Sequence, residues 1–160
     1  MPLPKNKLDR SANLSLYSNK FWKTKSLEQL TDTEWEALCD GCGKCCLHKL
    51  EDEDTGDIYY TRVACKLLNL KTCRCEHYTE RTNLVPDCLD LRKLEPEQYQ
   101  WLPSTCAYRL LFEKKPLPRW HPLISKTKNS VDKAGQSVQR YAITENDSHD
   151  LEDFIIEWLD

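Results

Sequence analysis

Cys39-Asp40-Gly41-Cys42-Gly43-Lys44-Cys45-Cys46 sets four thiols within eight residues. Two residues between cysteines let a tight turn aim both sulfurs at one metal. Glycine in that turn permits positive φ and brings backbone N–H groups toward the thiolates. Gly41 and Gly43 are half of the four glycines in the 160-residue chain. Further thiols follow at Cys65, Cys73, Cys75, Cys88 and Cys106, so eight of the nine cysteines fall within residues 39–88. Cys39, Cys42, Cys45, Cys46, Cys65, Cys73, Cys75 and Cys88 are the candidate ligands. Eight thiolates furnish two four-coordinate sites, filled by two zinc ions or by one zinc and one iron–sulfur cluster; one site with spare cysteines is the other arrangement. Side chains of neighbouring residues diverge, so Cys45 and Cys46 are expected to face different sites.

The rest of the chain narrows the class. Apolar residues make up 39 %, lean for a globular domain, which points to something besides apolar burial holding the fold. Four glycines at these positions form neither a dinucleotide fingerprint nor a P-loop. With 23 basic and 26 acidic residues the net charge is -3, against a strongly basic nucleic-acid binder. Charge is unevenly spread: residues 1–25 carry +5 and residues 144–160 carry -7. No stretch approaches the roughly 20 apolar residues that span a bilayer, and no apolar run follows Lys5, Lys7 and Arg10 as in a secretory signal. A cytoplasmic location is therefore expected. There thiols stay reduced, and clustered cysteines read as metal or redox groups rather than disulfides. No Ser-His-Asp order, H-E-x-x-H or paired-carboxylate motif marks an ordinary hydrolase.

Local signals place these thiols on elements. Thr31 and Glu34 have capping-box spacing and start a helix that ends near Cys39. Leu47–Glu51 and Ile58–Val63 read as a hairpin around the acidic run 52–57, a solvated turn rather than a calcium loop. Pro96 opens a short helix ending near Trp101. Another helix is expected from Pro103-Ser104-Thr105, with Tyr108, Leu111 and Phe112 as its apolar face. Residues 116–122 read as an extended connector with Trp120 packed down, and Val131–Ala134 as one helical turn stopped by Gly135. Val138–Ile143 reads as a strand, and residues 146–158 as a last helix burying Leu151, Phe154, Ile155 and Trp158. His48 and His77 neighbour cysteines but read as structural, since eight thiols suffice. His121 reads as a packing residue. Tyr78 and Arg81 read as support for the metal loop. Cys106 reads as a buried small residue, with a ninth ligand or a reactive thiol as the alternatives.

The whole pattern resembles the CxxCxxCC proteins, a bacterial group described as zinc- or iron-chelating, and within it the YcgN-like cysteine cluster family. Cys39, Cys42, Cys45 and Cys46, then Cys65, Cys73 and Cys75, then Tyr78, Arg81 and Cys88 match the broad pattern. The narrower resemblance rests on Leu47–Asp52, Ala64–Leu68, Leu102–Arg109 and Trp120–Leu123, and Thr82 departs from the proline common in the broad family. The resemblance implies metal chelation. A similar domain in flagellin lysine methylases adds an enzymatic link. The expectation is an α+β fold: one small domain over residues 21–160 with short helices, a β-hairpin and metal-tied loops, preceded by a loose arm over residues 1–20. Its function is expected to be structural or partner-docking metal binding, zinc first, with an iron–sulfur redox or enzymatic protein as the alternative. A monomer is expected, with no nucleic acid and no membrane, and docking to a protein partner is left open.

Overall fold

The computed structural model describes residues 19–157. The expected arm over residues 1–20 falls almost wholly, and Trp158 entirely, outside them. The fold is α+β, built from short elements. Helices α1 (Phe21–Thr24), α2 (Asp32–Leu38), α3 (Arg81–Leu84), α4 (Ala107–Phe112), α5 (Pro122–Ser125) and α6 (Ser130–Lys133) are each between four and seven residues long. Strands β1 (Leu47–Glu51) and β2 (Ile58–Ala64) form the expected antiparallel hairpin, and β5 (Ile143–Thr144) joins β2 in parallel. A second small hairpin pairs β3 (Leu68–Asn69) with β4 (Arg74–Cys75). No helix among the described residues is long and apolar enough to cross a membrane.

The capping box closes as its spacing predicts. Thr31 Oγ1 accepts the Glu34 N–H at 3.2 Å, and Glu34 Oε1 accepts the Thr31 N–H at 2.9 Å. The carboxylate also takes Lys25 Nζ at 2.7 Å. The acidic turn is likewise local: Asp52 Oδ1 accepts the Asp54 and Thr55 N–H groups, and its residues are largely exposed.

Burial divides into two apolar clusters. The helical one joins Phe21, Leu27, Trp35, Leu38, Tyr99, Leu102, Ala107, Tyr108 and Leu123. The other gathers Leu47, Tyr60, Ala64, Leu68, Cys73 and Val138 around the sheet. The segment between α2 and β1, residues 39–46, carries the thiol motif from one cluster to the other. Two hydrogen bonds tie the halves nearby, Tyr60 OH to Trp101 O at 2.5 Å and Lys44 Nζ of the thiol loop to Thr105 Oγ1 at 3.3 Å, while His121 Nε2 to Leu38 O at 2.7 Å braces the helical half.

Three expectations are corrected. Val138–Ile143 is a 3-10 turn over Val138–Arg140 followed by the short β5, because the Val138 N–H donates to Cys42 O and Ser137 Oγ accepts the Gln139 N–H. The last segment is a 3-10 turn over Leu151–Phe154, not a helix through 158. Ile155 bridges Thr61 and the Ile156 N–H reaches Tyr60 O, so the sheet edge competes successfully for that backbone. In α4 the buried face is Ala107, Tyr108 and Leu110, while Phe112 is 42 % exposed and stacks on Tyr99 with ring centroids 4.1 Å apart.

Candidate metal centre

The thiol loop starts where α2 stops. Cys39 leaves helical geometry with extended φ and ψ, and Gly41 and Gly43 take φ of 75° and 79°. Asp40 Oδ1 accepts the Cys42 N–H at 3.0 Å, an Asx turn that folds the first C-x2-C back on itself. A 3-10 turn over Lys44–Cys46 then delivers the chain into β1. Lys44 is buried, and its ammonium is held by Gln136 Oε1 at 2.6 Å and by Thr105. Backbone N–H groups point at two of the sulfurs: Gly41 N, in the glycine turn, lies 3.4 Å from Cys39 Sγ, and Leu67 N lies 3.5 Å from Cys65 Sγ.

All nine thiols are free. Their electrostatic neighbours divide them. Cys42 is raised well above its usual value by burial, then by Asp40, Cys45 and Cys39. Cys39 is raised by the crowding of its sulfur in the loop, although the residue as a whole is exposed, with Cys45 and Asp40 adding to it. The Cys45 and Cys46 sulfurs meet in a hydrogen bond rather than diverging as expected, and Cys46 is raised first by that bond, then by burial and by Cys45, Cys65 and Cys75. The same bond, with help from Lys49, lowers Cys45 to about 7. Burial raises Cys65, with Glu145 and Cys75 contributing, and burial raises Cys88, with Cys45, Cys65 and Cys75 contributing. Cys46 and Cys65 are held together by the Cys65 N–H to Cys46 O bond at 2.8 Å, and Cys75 faces Leu68 across β3–β4.

Cys73 is different. It is 7 % exposed and takes a left-handed φ of 57° in the β3–β4 turn. Its thiol donates to Cys42 O at 3.2 Å and lies 3.9 Å from Ser137 Oγ. A Cβ on Gly43 would meet that sulfur at 2.5 Å and Val138 Cγ2 at 2.7 Å, so the absent side chain of Gly43 is what lets Cys73 seat.

Among the described residues, no three Cys, His, Asp or Glu side chains approach closely enough to hold one ion. The thiols are grouped without being gathered to bonding distance. The donor chemistry fits a thiophilic metal: free thiols on glycine turns, with N–H groups beside two of the sulfurs and the cations Lys49, Arg74 and Arg81 nearby. Binding would release the protons of the thiols that ligate it.

The histidines stand aside. His48 Nε2 is hydrogen-bonded to Glu145, whose other oxygen accepts the Lys66 N–H at 3.1 Å. His77 lies 4.0 Å from Glu80 on an exposed turn. His121 is fully buried; its Nδ1 accepts the Leu123 N–H and its Nε2 faces Leu38 O. Arg81 sits 4.1 Å over the Tyr78 ring and donates to Tyr78 O, while Tyr78 OH reaches Glu36. Sequence reasoning gave no site role to Lys49, whose electrostatic neighbours include Cys45, Cys46, Cys88 and Cys106. It also passed over Glu145, which lies beside Cys65. No local pattern announces either, because both reach the thiols through tertiary packing.

Residues 38–107 match a family model, CxxCxxCC, described as a "Putative zinc- or iron-chelating domain". The chain is also similar to curated relatives called UPF0260 protein YcgN. Those from Salmonella newport (strain SL254), Salmonella enteritidis PT4 and Salmonella typhimurium (strain LT2) are each 50 % identical over 145 residues, covering 91 % of this chain and 95 % of theirs. No solved structure matches the chain. Identity at that level across nearly the full length of both, with every cysteine of the motif inside the matched domain, means that the chain belongs to the CxxCxxCC family and, within it, to the YcgN proteins.

Proposed function

We propose that this chain is a cytoplasmic protein that holds metal on its cysteine thiolates at two sites, and that the metal serves a structural or partner-docking role. The observation that carries the reading is position. The thiol loop joins Leu38 of the helical cluster directly to Leu47 of the sheet cluster, and Cys46 packs on the latter. Metal held there would fix one half against the other and so set the shape of the surface that a partner meets. Zinc suits this role because it binds thiolates without redox chemistry. The ferredoxin-like C-x2-C-x2-C run of Cys39, Cys42 and Cys45 favours a second reading, an iron–sulfur redox or enzymatic protein.

Purification without oxygen followed by elemental analysis and an absorption spectrum separates them. Two zinc ions per chain and no visible colour is the expected result. Iron with acid-labile sulfide and a brown sample would establish the second reading, and metal-free reduced protein that takes up neither would remove both.

A further inference from the structure

Away from the thiol motif, charge of one sign collects on one stretch of surface. Residues 114–133 carry Lys114, Lys115, Arg119, Lys126, Lys128 and Lys133 against Asp132 alone, a net charge of +5. All six cations are exposed. Lys115 is paired with Glu113 at 2.8 Å, and the Asp132 carboxylate is taken by Arg140 at 2.9 Å. Among the described residues the other five cations make no ion pair. The stretch is held in shape by its serines. Ser125 at the end of α5 and Ser130 at the start of α6 bring their hydroxyl oxygens 2.6 Å apart, and Ser130 Oγ donates to Trp120 O at 2.6 Å. The turn between them, residues 126–129, is exposed throughout, and Ile124 beside it is left 39 % exposed.

The segment that follows β5 is the counterpart. Residues 145–157 hold six carboxylates and no Lys or Arg. Asp147, Asp150, Glu152, Asp153 and Glu157 are exposed. This segment is fixed as well, by the Ile155 bridge to Thr61 and the Ile156 N–H to Tyr60 O, and Arg62 packs over its Phe154 ring. It too leaves an isoleucine bare, Ile155 at 39 % exposure. Among the described residues no ion pair joins the two segments within the chain. Each patch is thus an apolar side chain rimmed by charge, positive on one and negative on the other, which is the core-and-rim anatomy of a small interface.

We infer that the basic face over residues 114–133 receives a second copy of this chain, which docks its acidic segment 145–157 there with Ile155 against Ile124. The contact joins two different patches, so each copy gives one and receives one, and association closes into a ring or runs on as a chain. Neither patch contains a cysteine, so the pairing stands apart from the metal reading, and it departs from the expectation of a monomer. Exposed ion pairs are individually weak and screened by salt, which makes the association reversible and salt-sensitive.

Sedimentation velocity of the reduced, full-length protein over a concentration series tests this. At about 10 mM salt, where charges act over ~30 Å, the sedimentation coefficient is expected to rise with concentration; at about 1 M, where that reach falls to ~3 Å, the protein should run as a monomer. Lys126→Glu/Lys128→Glu and Glu152→Lys/Asp153→Lys should each stay monomeric at low salt. Mixed, they should pair one to one, because the first keeps the acidic segment and the second keeps the basic face. Wild-type protein that is monomeric at every concentration in low salt, association that survives either pair of reversals, or folded variants that are monomeric both alone and mixed would overturn the inference. Monomeric wild-type protein that instead binds vesicles of anionic phospholipid, with binding lost in Lys126→Glu/Lys128→Glu, would give the basic face to a membrane and overturn it too.

Discussion

At the scale of single residues, Gly43 shows what the sequence discloses and what it withholds. The sequence places glycine between cysteines and so announces a turn with positive φ, which is what the chain adopts. It does not announce Cys73, 30 residues away in the chain, whose sulfur presses on the same spot. Spacing marks thiols that share a local turn; a thiol that packs onto the turn from a distant hairpin looks identical in one dimension. The same limit applies to Cys106, whose packing on the helical cluster depends on how α4 docks. Glycine substitutions separate the local effect from the tertiary one. Gly56 has a similar φ of 76° with nothing within 4 Å of an added Cβ. Gly56→Ala should therefore lose only the left-handed backbone penalty, about 1 kcal/mol. Gly43→Ala carries that penalty and a collision with Cys73 and Val138, for about 2–4 kcal/mol in total. Urea midpoints of the two variants measure the difference, and equal losses would mean that the sulfur moves aside freely.

At the scale of elements, α2 was legible because both of its ends are written locally, the start by a capping box and the end by the glycines that follow Cys39. The capping box fixes the N-terminus from residues three apart. The β1–β2 hairpin was equally plain, its turn residues lying between two β-rich runs. The segments after residue 136 were not, since their backbone groups are claimed by Cys42, Thr61 and Tyr60 from other parts of the chain. The C-terminus of α2 depends on His121, which donates to Leu38 O and caps α5 in its neutral form. Burial lowers the imidazole below its ordinary value, against smaller opposing effects of Leu38 O and Asp40. A histidine lowered in the fold takes up its proton more readily when unfolded. Its contribution is thus complete above the unfolded value, about 6.5, and is lost as pH falls below it. Stability should drop between about pH 7 and pH 5 by up to roughly 1.4 kcal/mol per pH unit from this one group. His121→Gln should be less stable at neutral pH and show a shallower acid dependence. Denaturant titrations at the two pH values check this, and an unchanged slope in the variant would assign the loss to other groups.

At the scale of the whole molecule, the two apolar clusters are unequal partners of the metal. The helical cluster holds Phe21, Trp35, Leu38 and Tyr108 in mutual contact, with the Trp35 and Tyr108 rings 4.8 Å apart and Trp35 only 6 % exposed. Its buried members include no cysteine, and Cys106 only packs against its edge. The sheet cluster is smaller, counts Cys73 among its members, and is reached by β3 and β4 strands only two residues long. Two-stranded pieces of that length are marginal without packing support. Thiolate metal sites couple binding to folding and supply on the order of 10 kcal/mol in small zinc domains. Removing metal from this chain should therefore unfold it unevenly. Hydrogen exchange on chelator-treated, reduced protein is expected to show lost protection through residues 39–46 and 65–88, while α2 and α4 retain most of theirs and Trp35 stays shielded. Tyr60 should mark the boundary, since its bond to Trp101 O joins the clusters. Uniform loss over the whole chain would make the protein one cooperative unit built on metal. Unchanged protection over residues 39–88 would show that the thiol loop is held by the Asx turn, the Lys44 contacts and the Cys73 packing alone, and that any metal there is cargo rather than structure.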